Sequence, residues 1–363
     1  MKYLIGAGGT GGHIIPALAV AQELCCRGHE VCFVGNKGSM EEALVTNRSY
    51  RFLSINVQKL YRGFTIKHLK FPFLLLMSII KCILYIKSEK PVCVFVTGGF
   101  VSGPLAIAAK IQRKPLFIQD GNSYPGLTTR ISARYSHKIF IASEDAVSYL
   151  PANKCILTGN PILIKNMNER KDIDWNQSTL SKDTIKVLVL GGSQGSVIIN
   201  KTFEQCINEL RQMDIEIIWQ AGKPYYFSHK EKYSQQTGIV MFDFTERIAG
   251  YYAMADVAIT RAGALTIAEL SEFRIPSVLI PLPTSAENHQ FKNALAHVHK
   301  GGGILLPQSE LTPESLLKAL RRIVSELSEF KARMEAIPHN EATAKICNVM
   351  ENDLQNLGSS NVR

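Results

Sequence analysis

The chain has 363 residues, enough for two domains at the usual size of roughly 100–200 residues each. Hydrophobic residues make up 46% and charged residues 20%, which excludes a disordered or collagen-like chain. The formal net charge of +10 favours anionic partners, phosphates or anionic lipid, but no basic run interleaved with aromatics and no helix-turn-helix or RNP-type signature points to nucleic acid.

Lys2 to Ile5 reads as a short apolar strand, followed by the glycine-rich Gly6 to His13 and then by Ile14 to Cys26, whose apolar spacing predicts a helix. The N-terminus runs straight into this strand without the regions of a signal peptide, so the chain is expected to stay in the cytoplasm. Gly6, Gly8 and Gly11 fit G-x-G-x-x-G. The acid that would bind the ribose of a nicotinamide dinucleotide should close the next strand, Glu30 to Val34, but Gly35, Asn36 and Lys37 follow it. A P-loop is excluded too, because Gly12 and His13 stand where its lysine would be. What remains is a helix N-terminus offering free N–H groups to an anion, with His13 at its start, where the dipole favours a neutral, proton-accepting ring.

The apolar stretch Phe71 to Ile86 is interrupted by Lys81, bounded by His68, Lys70 and Lys87, and shorter than the ~20 residues a bilayer requires, so it is not expected to span. Pro91 to Thr97 and Pro115 to Gln119 are further strands, with a helix over Gly103 to Lys110. A polar connection, Asn166 to Asp183, contains Asp172-Ile-Asp174. This spells the Asp-x-Asp of metal-dependent sugar transferases but lies away from any strand end, so it reads as a solvated loop and no metal site is expected.

A second cycle repeats the first: strand Ile185 to Leu190, glycine loop Gly191 to Ser196, helix Ile198 to Leu210, then strands Glu216 to Gln220, Ile239 to Phe242, Val257 to Thr260 and Ser277 to Pro281. Alternating strand and helix imply parallel, doubly wound α/β sheets, and two such units facing one another would leave a cleft between them. In the glycine loop, backbone amides and the Ser193 hydroxyl can hold a phosphate. A helix beginning near Ala264 offers its N-terminus to a diphosphate, and Glu269 can accept from ribose hydroxyls. Glu287, Asn288, His289 and Gln290 cluster where they can reach a sugar. From Thr312 onward the composition is helical, with a packing role. The cysteines at 25, 26, 32, 82, 93, 155, 206 and 347 form no C-x-x-C and read as reduced thiols.

These motifs occur in a fixed order: GGTGGH at 8–13, GGFVSGP at 98–104, GNSYPGLTTR at 121–130, TGNP at 158–161, GGSQGS at 191–196, RAGALTIAE at 261–269 and ENHQFKNA at 287–294. Together they resemble the MurG family of bacterial peptidoglycan N-acetylglucosaminyltransferases. The resemblance implies a GT-B fold, two Rossmann-like doubly wound domains facing a central cleft. The expected divisions are 1–163 for acceptor and membrane, 164–340 for the UDP-sugar, and a helical tail, 341–363, packed back on the first domain. It also implies inverting transfer of N-acetylglucosamine from UDP-N-acetylglucosamine to the C4 hydroxyl of undecaprenyl-pyrophosphoryl N-acetylmuramyl pentapeptide (lipid I to lipid II), without a cofactor.

By resemblance, Ser193 and Gln194 contact the diphosphate or sugar and Thr245 offers backbone to uracil. Ala264, Leu265 and Thr266 face the phosphates, Glu269 holds ribose, and His289 and Gln290 hold the sugar. Thr10, Gly11, Gly12 and Asn122 close the site from the other domain. His13 is the candidate base and Asp120 its competitor. The chain departs from the family at Gln119, Asp120 and Gly121, which with Asn122 stand in place of His-Glu-Gln-Asn, at Phe100 in place of Tyr, and at Leu163 in place of Arg, with Lys165 nearby.

The family setting gives the 67–87 segment a use. Phe71, Phe73, Leu74, Leu75, Ile79, Ile80 and Ile83 would dip into an anionic membrane surface, placing the chain peripherally on the cytoplasmic face of the bacterial inner membrane. Other enzymes of cell-wall synthesis are implied as partners. The competing functions are another GT-B enzyme such as a UDP-N-acetylglucosamine epimerase, a nucleotide-sugar sensor, and an oxidoreductase.

Overall fold

Short apolar runs separated by amphipathic segments pair best as parallel strands, with each helix returning over the sheet. The computed structural model describes residues 1–58, 70–163, 180–181, 184–192, 195–245, 247–285 and 288–360, and the chain divides into two compact units, Met1–Leu163 with Asn340–Arg363, and Ile164–His339. Asp172, Asp174 and Lys165 lie outside the described residues.

The first unit contains β1 (Lys2–Gly6), α1 (Gly11–Cys26), β2 (Glu30–Asn36), α2 (Met40–Thr46), β3 (Arg51–Ile55), α3 (Phe71–Glu89), β4 (Cys93–Val96), α4 (Ser102–Ile111), β5 (Leu116–Asp120), α5 (Leu127–Ser132), β6 (Lys138–Ile141) and β7 (Cys155–Leu157). The strands are parallel in the order β3-β2-β1-β4-β5-β6-β7. Alternation along each strand divides the core between the two faces: Leu4, Val94, Val96 and Ile118 pack with Cys82, Ile86 and Leu105 of α3 and α4. Tyr3, Ile5, Phe95, Phe117 and Phe140 pack with Ile14, Leu18 and Leu24 of α1.

The second unit contains β8 (Ile185–Leu190), α6 (Val197–Gln212), β9 (Ile215–Gln220), α7 (Lys223–Tyr233), β10 (Ile239–Phe242), α8 (Ile248–Tyr252), β11 (Val257–Thr260), α9 (Ala264–Glu272), β12 (Ser277–Leu279), α10 (His289–His299), β13 (Gly303–Leu305), α11 (Pro313–Ser325) and α12 (Leu327–Glu335). Its parallel sheet runs β10-β9-β8-β11-β12-β13, with Trp219 and Phe203 at the centre of one core. The last helix, α13 (Ala342–Ser360), belongs to the first unit, where Ile346, Cys347 and Met350 complete the core beside α1. Glu351 pairs with Arg27 at 2.6 Å and with His29 at 2.7 Å.

In both sheets the winding reverses beside the first strand, between β1 and β4 and between β8 and β11. Loops leaving the carboxyl ends of such strand pairs diverge and leave room for a ligand.

Helix α3 extends beyond the apolar run expected from the sequence. At 19 residues and mean hydropathy 1.7 it is long and apolar enough to cross a membrane by length and composition, which corrects the expectation that it is too short. Its inner stripe is nevertheless part of the fold. Ser78 and Tyr85 donate to the carbonyls of Asn56 and Ser54, Cys82 and Ile86 are buried, and Glu89 pairs with Lys2 and Arg51. The outer stripe is Phe73, Leu76, Met77, Ile80 and Leu84, all exposed. This stripe also corrects the sequence assignment: Ile83 packs against the core, while Leu76, Met77 and Leu84 face outward.

Candidate active site

In the first unit, α1 starts at Gly11, and its N-cap Thr10 is extended with no side-chain cap, so the first-turn amides are not claimed by that hydroxyl. His13 lies in this turn. Its Nδ1 is 2.7 Å from the Thr97 carbonyl just beyond β4, across the reversal point, and the Thr97 hydroxyl donates to the His13 carbonyl at 2.7 Å. A carbonyl only accepts, so Nδ1 carries the proton and the neutral ring keeps the Nε2 lone pair for an incoming proton. The loop passes beneath the imidazole because Gly98 and Gly99 have φ of +81° and +76°. A Cβ on Gly98 would press on the His13 ring at 3.1 Å, and one on Gly99 would overlap the Gly8 carbonyl.

Asp120, buried at the end of β5, spends both carboxylate oxygens on its own loop. Oδ1 accepts from the backbone and side-chain nitrogens of Asn122, and Oδ2 from the Gly126 amide, each at 3.1 Å. Asp120 thus holds Asn122 and the turn, whereas among the described residues His13 Nε2 has no hydrogen-bond partner.

The departures from the family pattern also find partners. Gln119 donates to Asn160 Oδ1 at 3.0 Å, and a Cβ at Gly121 would overlap the Asn160 side chain, so the two residues together accommodate it. Phe100 packs against Gly9 and the core, and Leu163 packs into the α1-side core, so position 163 presents no cation.

In the second unit Ser193 and Gln194 lie outside the described residues; beside them the Gly195 amide donates to the Gly192 carbonyl at 2.9 Å. Arg261, just after β11, donates to the Ser196 hydroxyl at 2.8 Å and to the carbonyls of Ile280 and Pro281 at 3.2 and 3.3 Å. One guanidinium thus ties three strand-end loops together. Burial lowers its pKa, yet arginine stays charged, placing a cation beside the glycine loop.

Helix α9 begins after Gly263 with no side-chain cap, and Ala264, Leu265 and Thr266 of its first turn are partly exposed. One turn on, Glu269 accepts the Tyr252 hydroxyl at 2.9 Å. Burial pushes the Glu269 carboxyl up to about 7, an effect that Tyr252 opposes. Gln290 accepts the Leu282 amide at 3.0 Å, Asn293 donates to the Ala262 carbonyl at 3.3 Å, and His289 opens α10 after the left-handed Asn288. Thr245, beyond β10, accepts the Arg247 amide at 3.0 Å.

Residues 3–141 match the glycosyltransferase family 28 N-terminal domain, and residues 186–349 its C-terminal domain. The UDP-N-acetylglucosamine–N-acetylmuramyl-(pentapeptide) pyrophosphoryl-undecaprenol N-acetylglucosamine transferase of Flavobacterium psychrophilum is 37% identical, covering 93% of this chain and 92% of its own. The chain belongs to the MurG family of glycosyltransferases. The Bacillus subtilis transferase of the same name is 32% identical over 97% of this chain and 99% of its own.

The MurG-family fold is of GT-B type. The crystal structure of Acinetobacter baumannii MurG superposes with a TM-score of 0.73 at 24% identity, over 97% of this chain and 99% of that one. A putative UDP-N-acetylglucosamine 2-epimerase from Listeria monocytogenes superposes at 0.68 with 13% identity, over 98% and 97%. Both likenesses concern the fold alone.

Four contributors in this MurG-family chain escaped sequence reasoning. Arg261 and Asn293 stand inside quoted motifs, so the motifs themselves were the signal. Thr97 acts through its backbone carbonyl, and Tyr252 lies outside every motif, so neither had one.

Proposed function

We propose that this chain transfers N-acetylglucosamine from UDP-N-acetylglucosamine to the C4 hydroxyl of undecaprenyl-pyrophosphoryl N-acetylmuramyl pentapeptide, with inversion at the anomeric carbon. The first unit binds the acceptor and supplies the base, and the second binds the nucleotide sugar. The acceptor oxygen attacks the anomeric carbon, the bond to the diphosphate breaks, and the hydroxyl proton passes to Nε2 of His13. UDP leaves with the bonding electrons. The uncapped first-turn amides of α9, with Arg261, offset its growing charge. Glu269 accepts from the ribose, Thr245 offers backbone to the uracil, Ser193 and Gln194 reach the diphosphate, and His289 and Gln290 hold the sugar. Thr10, Gly11, Gly12 and Asn122 complete the surroundings of the reacting groups.

The observation that carries this reading is the 2.7 Å contact between His13 Nδ1 and Thr97, which leaves the opposite nitrogen as a base. The acceptor is a lipid, and the exposed stripe of α3, with exposed Lys70, Lys81 and Lys87 beside it, supports peripheral attachment to the anionic cytoplasmic face of the bacterial plasma membrane.

The test is transfer of labelled N-acetylglucosamine to a lipid I analogue in vesicles, with EDTA present. The expected product is the β-linked disaccharide lipid, and His13→Ala should slow its formation by roughly 10²–10⁴-fold. Parent-rate turnover by His13→Ala would overturn the base assignment. Donor binding without any lipid product would overturn the acceptor assignment and favour the epimerase alternative.

A further inference from the structure

We propose that Tyr252 is a positioning residue for the nucleotide sugar: its hydroxyl occupies one oxygen of Glu269 and leaves the other to accept from the donor's ribose. This rests on the donor-site role given to Glu269 above.

Tyr252 closes α8 and is 3% exposed. Its ring stacks on Phe273, the residue that follows α9, with centroids 5.4 Å apart and planes at 30°. A buried phenol without a partner is costly, and this one meets Glu269 Oε2 at 2.9 Å. Burial and the adjacent carboxylate hold the phenol's ionisation well above its ordinary value, so it remains a donor at any working pH. Glutamate is a flexible side chain, and a fixed donor on one oxygen removes freedom that ribose binding would otherwise have to freeze.

Burial and Tyr252 are the two influences on the Glu269 carboxyl. The other titratable groups on these packed elements are Glu272 on α9 itself and His289, Lys292, His297 and His299 on the adjoining α10. Ribose hydroxyls bind best to the ionised form, so donor affinity should fall as pH drops below about 7. Removing the Tyr252 hydroxyl takes away the interaction that favours ionisation, which moves this limb to higher pH.

The experiment is calorimetric titration of the full-length protein with UDP-N-acetylglucosamine from pH 5.5 to about 9, alongside steady-state turnover. The nucleotide sugar is preferred to UDP, whose terminal phosphate titrates near pH ~6. Four proteins form a cycle: parent, Tyr252→Phe, Glu269→Ala and the double variant. Tyr252→Phe should weaken donor binding roughly five- to tenfold at pH 7 and shift the acid limb upward, raising KM more than it lowers kcat. In the Glu269→Ala background the limb should be absent and Tyr252→Phe should cost less than about twofold.

If Glu269→Ala binds donor like the parent, the donor role of Glu269 fails. If Glu269→Ala is weakened while Tyr252→Phe matches the parent at every pH, the positioning role fails alone. Equal losses from Tyr252→Phe in both backgrounds would mean that the hydroxyl supports packing, and would also overturn the proposal.

Discussion

The donor role proposed for Glu269 comes at some expense to the free protein. Its carboxyl, raised to about 7 in the folded state, binds its proton more tightly there than in the unfolded chain. Folding stability therefore falls as pH climbs from the ordinary carboxylate range through about 7, and the loss is complete above that. Glu269→Gln should stabilise the unliganded protein by about 1–2 kcal/mol at pH 8, less than the full shift because the side chain is partly exposed. The gain should shrink toward pH 5. Urea unfolding at the two pH values checks this, and a pH-independent gain would contradict it. Sequence spacing put Glu269 forward as a candidate, because an acid early in a helix that follows a strand end can reach a ribose. It could not expose Tyr252, which meets Glu269 only through the fold, or Thr97, whose contribution is a carbonyl that every residue type possesses.

At the scale of elements, the strands facing both cores were legible because they are short, uninterrupted apolar runs; Ile185–Leu190, Ile239–Phe242 and Val257–Thr260 match residue for residue. The start of α1 was not, since glycine has poor helix propensity and the periodic signal begins only at Ile14, whereas the helix starts at Gly11. In α3 hydropathy alone could not separate the two stripes, because both are apolar and only contacts distinguish the inner from the outer. The outer one yields a prediction. Phe73 and Leu84 are 66% and 57% exposed, so Phe73→Asp with Leu84→Asp should leave the unfolding midpoint nearly unchanged. The same pair should weaken co-sedimentation with anionic vesicles by about tenfold or more, as each large apolar side chain moved out of water contributes roughly 1.5–3 kcal/mol. Undiminished vesicle binding would remove α3 from the membrane contact.

On the scale of the whole molecule, the fold class followed from strand–helix alternation repeated twice, a property of many residues together and so insensitive to any one misread boundary. The first unit is discontinuous, and Met350, fully buried against α1, tests what the late segment contributes. Met350→Ala should destabilise that unit by about 2–5 kcal/mol. Far-UV circular dichroism should then lose part of its amplitude at lower urea, while emission from Trp219, buried in the other unit, keeps its midpoint. An unchanged dichroism curve would show that α13 adds nothing to the core.

The same discontinuity sets an order of events during synthesis. Residues 1–163 leave the ribosome early, yet the helix that covers Val20 and Leu24 follows only after the whole of Ile164–His339 has been made. At ordinary elongation rates this delay is on the order of 10–40 seconds. Throughout it Val20 and Leu24 of the nascent N-terminal unit lack the apolar cover that α13 provides, and the unit begun first is the one finished last.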